Sequence, residues 1–124
     1  MADLNTVNEG ATCLYEATLR DETGAVIIGT ALDSLTLTVY DVLTRAIVNE
    51  RNHQDVFNKN GVTISAEGVL RWVLTPADNV MIGTGPERRR AAMFVAVWAS
   101  QTKSCPHEFT WLIRNLTYLP QGSP

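Results

Sequence analysis

Ser34-Leu35-Thr36-Leu37-Thr38-Val39-Tyr40-Asp41 alternates aliphatic and hydroxyl-bearing side chains without a break. Leu35, Leu37 and Val39 point one way and Thr36, Thr38 and Tyr40 the other, which is the two-residue period of an extended chain. Leucine, threonine, valine and tyrosine suit a pleated surface covered on one side. The segment therefore reads as a strand, with Ala46 to Glu50 as its hairpin partner across a Leu43-Thr44-Arg45 turn.

The same period extends in both directions. Upstream, Ala11, Cys13, Tyr15, Ala17 and Leu19 form one row from 11 to 20. Thr12, Leu14, Glu16, Thr18 and Arg20 form the other. Asp21-Glu22-Thr23-Gly24 then turns the chain into a short apolar run, Ala25 to Gly29. Downstream, residues 51–61 interrupt the alternation with Asn52, Asn58, Asn60 and Gly61. Within them Gln54-Asp55-Val56-Phe57 suggests one helical turn, with Val56 and Phe57 plugging an end of the core. Val62 to Ser65 and Val69 to Leu74 follow as strands, with Leu70, Trp72 and Leu74 expected inside. Thr75-Pro76-Ala77-Asp78-Asn79 is a stop signal. Gly83 to Arg90 reads as a charged loop. Ala91 to Ser100 is apolar on both faces, as a strand near the middle of a sandwich would be. Gln101 to Pro106 reads as a turn, and His107 to Tyr118 as the closing strand.

Seven to eight short strands at spacings of about 8–12 residues, with turn chemistry between them, indicate an all-β fold. An antiparallel β-sandwich is expected, with an up-and-down barrel as the rival. No window sustains a period of 3.6, and there is no internal repeat or linker. The expected layout is an N-terminal arm over 1–10, one β-sandwich domain over 11–119 and a C-terminal tail over 120–124.

The chain has 124 residues, 45% of them apolar and 19% charged, enough for one buried core. Its formal net charge of −3 supplies no field for a nucleic-acid backbone. The first ten residues lack the basic and apolar regions of a secretory signal, and the apolar run 91–99 is too short to span a bilayer. A soluble protein made in the cytoplasm is expected. That setting favours two free thiols over a Cys13–Cys105 disulfide.

No set of residues converges on chemistry. His53 and His107 lack a ligand pattern. Cys105 and His107 are two apart, as a thiol–base pair would be on one strand face, but Pro106 intervenes. No nucleophile elbow occurs, and Gly83-Thr84-Gly85-Pro86 lacks the Gly-Lys-Ser/Thr ending of a phosphate loop. The carboxylates are scattered. Glu87-Arg88-Arg89-Arg90 is the one notable charge cluster, and it reads as a solvated loop before it reads as a partner surface. Trp72, Trp98 and Trp111 read as core. No enzyme activity, metal or cofactor is expected.

Taken in order, several segments resemble a group of small phage and prophage proteins with an immunoglobulin-like sandwich. That group includes the immunoglobulin-like N-terminal domain of phage baseplate upper proteins. The segments are 17–24 (Ala-Thr-Leu-Arg-Asp-Glu-Thr-Gly), 34–41, Asn49-Glu50-Arg51-Asn52, Asn60-Gly61-Val62-Thr63, 68–79 (Gly-Val-Leu-Arg-Trp-Val-Leu-Thr-Pro-Ala-Asp-Asn), and His107-Glu108 leading to Arg114-Asn115-Leu116. They run from about residue 11 to 116 and maintain turns and strands rather than an active site. The resemblance implies an immunoglobulin-like fold and a structural role in the virion of a tailed bacteriophage. No fibre or stem follows the domain, which favours a capsid decoration or head–tail connector over a baseplate adaptor. The expected partners are other phage structural proteins of the head, neck or tail, bound as a multi-copy assembly or homo-oligomer in the particle, without nucleic acid or membrane. Asn5, Val7, His53, Phe57, Arg88, Arg89 and Arg90 are the candidate contacts. A glycan- or ligand-binding sandwich is the alternative.

Overall fold

The computed structural model describes residues 6–116, which form two packed β-sheets; no α-helix occurs among the described residues. The strands are β1 (Thr6–Asn8), β2 (Cys13–Thr18), β3 (Leu32–Asp41), β4 (Gln54–Asp55), β5 (Val62–Ile64), β6 (Val69–Leu74), β7 (Glu87–Trp98) and β8 (Lys103–Arg114). One sheet has the order β1-β8-β7-β3-β4 and the other β2-β6-β5. All pairs are antiparallel except β1, which runs parallel to β8. Strands two, six and five thus lie opposite strands eight, seven and three, the strand order of an immunoglobulin-like sandwich. Up-and-down closure is excluded, because β2, β4 and β6 each lead into a strand of the other sheet.

The inward rows are those that alternation marks. Leu35, Leu37 and Val39 of β3 are fully buried, as are Leu70, Trp72 and Leu74 of β6. Trp72 meets Phe94 edge-on at 5.6 Å and Trp111 at 6.0 Å between ring centroids. Burying an indole removes about 150–250 Å² from water, on the order of 4–6 kcal/mol of transfer free energy.

Several local expectations are corrected. Residues 25–29 form no strand; they contribute one bridge, Arg20 to Val26, before a 3-10 turn at Gly29–Ala31. Residues 46–50 likewise contribute one bridge, Tyr40 to Ile47, rather than a hairpin strand. Gln54–Asp55 is a short edge strand on β3, not a helical turn. The supposed charged loop 83–90 already belongs to β7 from Glu87, because every residue from Glu87 to Trp98 finds a partner on β8. The supposed turn at 101–106 shrinks to the hairpin tip, and β8 begins at Lys103 and runs through Pro106. Part of the expected arm is strand β1. The expected tail, 120–124, lies outside the described residues.

Pro106 is tolerated because of where β8 lies. Alternation along β8, anchored by Asn115 N–H donating to Pro86 and by Arg114 C=O accepting from Glu9, directs the Pro106 nitrogen away from β7. No ladder bond is lost there, the usual condition for proline in a sheet.

Candidate interaction surfaces

The buried polar groups are concentrated where β6 leaves its sheet for β7. Thr75 and Asp78 cap a 3-10 turn at Pro76–Asn79. Asp78 is fully buried and accepts from Arg51, Asn49 and the backbone and side chain of Thr75. Burial alone would push its carboxyl pKa up, but these donors outweigh it and hold the group below the ordinary carboxylate range. Asn79 accepts from the Trp111 indole at 3.0 Å, and Arg90 donates to the carbonyls of Asp78 and Val80 at 2.7 and 2.6 Å. On the neighbouring turn Asp41 accepts from Arg88 and Thr44, which likewise outweigh its burial and lower its pKa. These groups bind one another across the two turns and so clamp the loops together, although Asp41 Oδ1 and Arg90 Nε are buried without a hydrogen-bond partner among the described residues.

That clamp relocates several of the candidate contacts. Arg90 is fully buried, so it presents no surface to a partner. Arg88 is half-buried on Asp41 at 2.7 Å, while Arg89 stays exposed with its guanidinium on the Thr110 hydroxyl at 3.2 Å. Three consecutive arginines on a strand necessarily alternate in direction, which a loop reading conceals. Val7 is buried as the inward residue of β1. Phe57 is half-buried against the core, and His53 is exposed with its backbone N–H on the Thr38 hydroxyl. Asn5 lies outside the described residues.

Cys13 and Cys105 are both free thiols. The Cys105 thiol turns to the Arg20 carbonyl at 3.5 Å, and His107 Nε2 shares a 2.7 Å hydrogen bond with the Tyr15 hydroxyl. The two side chains are thus engaged elsewhere. Among the described residues, no group of three or more His, Cys, Asp or Glu is placed to hold a metal ion.

Two surfaces depart from what a solvated sandwich presents. The first is the flank formed by β2 and β8. β2 is the outermost strand of its sheet, and β1 covers β8 only from Leu112 to Arg114. The register with β6 turns the backbone N–H and C=O of Leu14, Glu16 and Thr18 outward. Between these two edges, which no strand covers among the described residues, lie Cys105, His107 and Phe109, the inward row of β8, all half-exposed. Phe109 stacks on Tyr15 at 3.7 Å. On the opposite flank the inward row of β3 is sealed beneath Val48 and Val56. Among the described residues, no strand seals the β2 flank.

The second surface is the outer face of the five-stranded sheet. Register sets Ser34, Val97 and Ser104 in one row, then Thr36, Val95 and Pro106, then Thr38, Met93 and Glu108, then Tyr40, Ala91 and Thr110. Met93, Val95 and Val97 run along the central strand, where an antiparallel sheet facing water carries polar residues. Ala91 is buried, because Tyr40 reaches across it to donate to Glu108 at 2.9 Å. By contrast, the outer face of the three-stranded sheet carries the exposed Glu16–Arg71 ion pair.

No family model, curated protein or solved structure matches the chain. The surfaces must therefore be read from their own chemistry.

Proposed function

We propose that this chain is a non-enzymatic structural protein of a tailed-bacteriophage particle. It docks in many copies on a head, neck or tail component by accepting an extended strand of that component along β2. The open flank carries this reading. Leu14, Glu16 and Thr18 offer backbone donors and acceptors at strand spacing, and Cys105, His107 and Phe109 offer a half-exposed floor beside them. One added strand satisfies the first and covers the second. Between the two bare edges, β2 is the receptive one: Pro106 blocks continuous pairing along β8, and proline on an edge is a guard against it. The phage assignment rests on the sequence resemblance, and the leaning toward a head decoration or connector rests on the same source.

Glu16→Pro separates docking from folding. It removes an outward N–H that the β2–β6 ladder does not use. The variant is expected to keep the far-ultraviolet spectrum of the parent and to lose incorporation into particles assembled without the native protein, as read by electron microscopy and sedimentation. Incorporation at the parental level would overturn strand addition. A native chain that binds no particle component would overturn the virion role.

A further inference from the structure

We infer that strand docking along β2 is gated by protonation of His107: the incoming strand seats on the neutral imidazole and is shed when the ring takes up a proton. The inference rests on the reading of the β2 flank as a docking edge and adds its regulation. His107 is the middle residue of the inward row of β8, half-exposed between Cys105 and Phe109. Its Nε2 shares a 2.7 Å hydrogen bond with the Tyr15 hydroxyl, and its ring lies 6.1 Å from the Tyr15 ring and 6.3 Å from that of Phe109. Tyr15 sits on β2 between Leu14 and Glu16, whose backbone groups face outward. Residues of a strand paired to Leu14, Glu16 and Thr18 share their outer face, so those opposite Tyr15 and Ala17 point inward. Their side chains come down beside Tyr15, over the exposed part of the imidazole. Docking thus completes the burial of a ring that is half-buried in the free chain.

The elements packed around the ring bring no charge to balance a proton there. On β8 the same row holds Cys105 and Phe109, while Glu108 points to the other face and accepts from Tyr40 at 2.9 Å. On β7 the residue opposite is Phe94, between Ala92 and Ala96 in the inward row. On β2 the inward residues are Cys13, Tyr15 and Ala17, while Glu16 is turned outward and paired with Arg71 at 3.0 Å. On β6 they are Leu70 and Trp72. Toward the Cys105 end, Lys103 and Glu22 pair with each other at 2.9 Å, and the Arg20 guanidinium donates to the Gly24 carbonyl. Among the described residues no carboxylate therefore faces the imidazole, and burial alone holds its pKa below 6.5. The Tyr15 bond needs no charge on the ring, because a phenol donates to a neutral imidazole. The seat is lined by aromatic and aliphatic groups, so the inward residues of the incoming strand are apolar. Such a strand removes the remaining water from the ring and disfavours its charged form further, so strand and proton each oppose the other.

Attachment of the full chain to particles assembled without it, measured at pH 7 and at pH 5, tests the inference. The dissociation constant of the native chain is expected to rise by about threefold or more across that interval, with a limit of about tenfold per pH unit once the ring of the free chain titrates. His107→Gln keeps a neutral hydrogen-bonding group beside Tyr15; it is expected to dock at pH 7 and to lose the pH dependence. His53 is the other histidine and is exposed, and His53→Gln is expected to behave as the parent. Equal attachment at both pH values would overturn the gate while leaving strand addition standing. So would attachment strengthened by acid, as a carboxylate on the incoming strand would give, or a pH dependence unchanged in His107→Gln. Titration of the ring by proton NMR needs no variant: a pKa below 6.5 is expected in the free native chain, and one at or above 6.5 overturns the inference. A native chain that attaches at neither pH overturns the docking reading itself, and the gate with it.

Discussion

At the scale of single residues, the Arg51–Asp78 pair shows how a polar contact becomes structural. Both side chains are buried, and Asp78 binds donors from segments separated by more than twenty positions. Removing one partner strands a charge in a dry site, so Arg51→Ala is expected to cost about 3–5 kcal/mol in urea unfolding. The Asp78 pKa is held below its ordinary 3.8 in the folded chain. Its contribution to stability is therefore complete above that value and is lost as pH falls through the folded one. Asp78→Asn should remove this part of the acid dependence while lowering stability at neutral pH. His107 titrates higher on the scale. Burial pushes it below 6.5, so the unfolded chain takes up the proton first. The associated stability is complete above about 6.5 and declines as pH falls from there toward the folded value. Melting temperatures of His107→Gln should fall less than those of the parent between pH 7 and pH 5.

At the scale of elements, what matters is which way each backbone group points. Glu16 and Ala17 are neighbours on β2, but Ala17 bonds to β6 and is buried whereas Glu16 turns outward. Proline at the two positions should act oppositely. Ala17→Pro breaks the ladder and is expected to cost about 3 kcal/mol or more; Glu16→Pro is expected to cost about 1 kcal/mol, read by the same unfolding curves. The β5–β6 turn has a comparable constraint at Gly68. Its φ is +84°, and an added Cβ would meet the Ile27 carbonyl at 2.5 Å. Gly68→Ala should therefore destabilise by more than the ~1 kcal/mol that glycine-to-alanine changes gain at compatible sites.

At the scale of the whole molecule, Trp72 ties the sheets together through Phe94 and Trp111. Trp72→Ala is expected to cost about 3–5 kcal/mol, read as a lowered denaturant midpoint. The two flanks are unequal. The β3 flank is closed by the segment carrying Val48 and Val56, and among the described residues no strand covers the β2 flank. That inequality gives the molecule its direction for strand addition. The apolar row on β7 gives it a second surface, on a different side of the sandwich.

Much of this architecture is written in alternation. Leu35, Leu37, Val39, Leu70, Trp72 and Leu74 are identifiable as core because side chains on an extended backbone must point to opposite sides in turn, whatever the partner strands are. The β-sandwich class follows from that local rule and from turn residues at regular intervals. Where the chain lies relative to distant segments does not. Val7 is buried because β8 runs beside it, Arg90 because the Asp78 and Val80 carbonyls close over it, and Pro106 fits β8 only because its nitrogen points away from β7, on a side that β1 does not reach. The two apolar rows of β7 read as one deeply buried strand, yet only one row meets the second sheet. Pairing between segments far apart in the chain decides these points, because burial of a given side chain depends on which surface arrives opposite it.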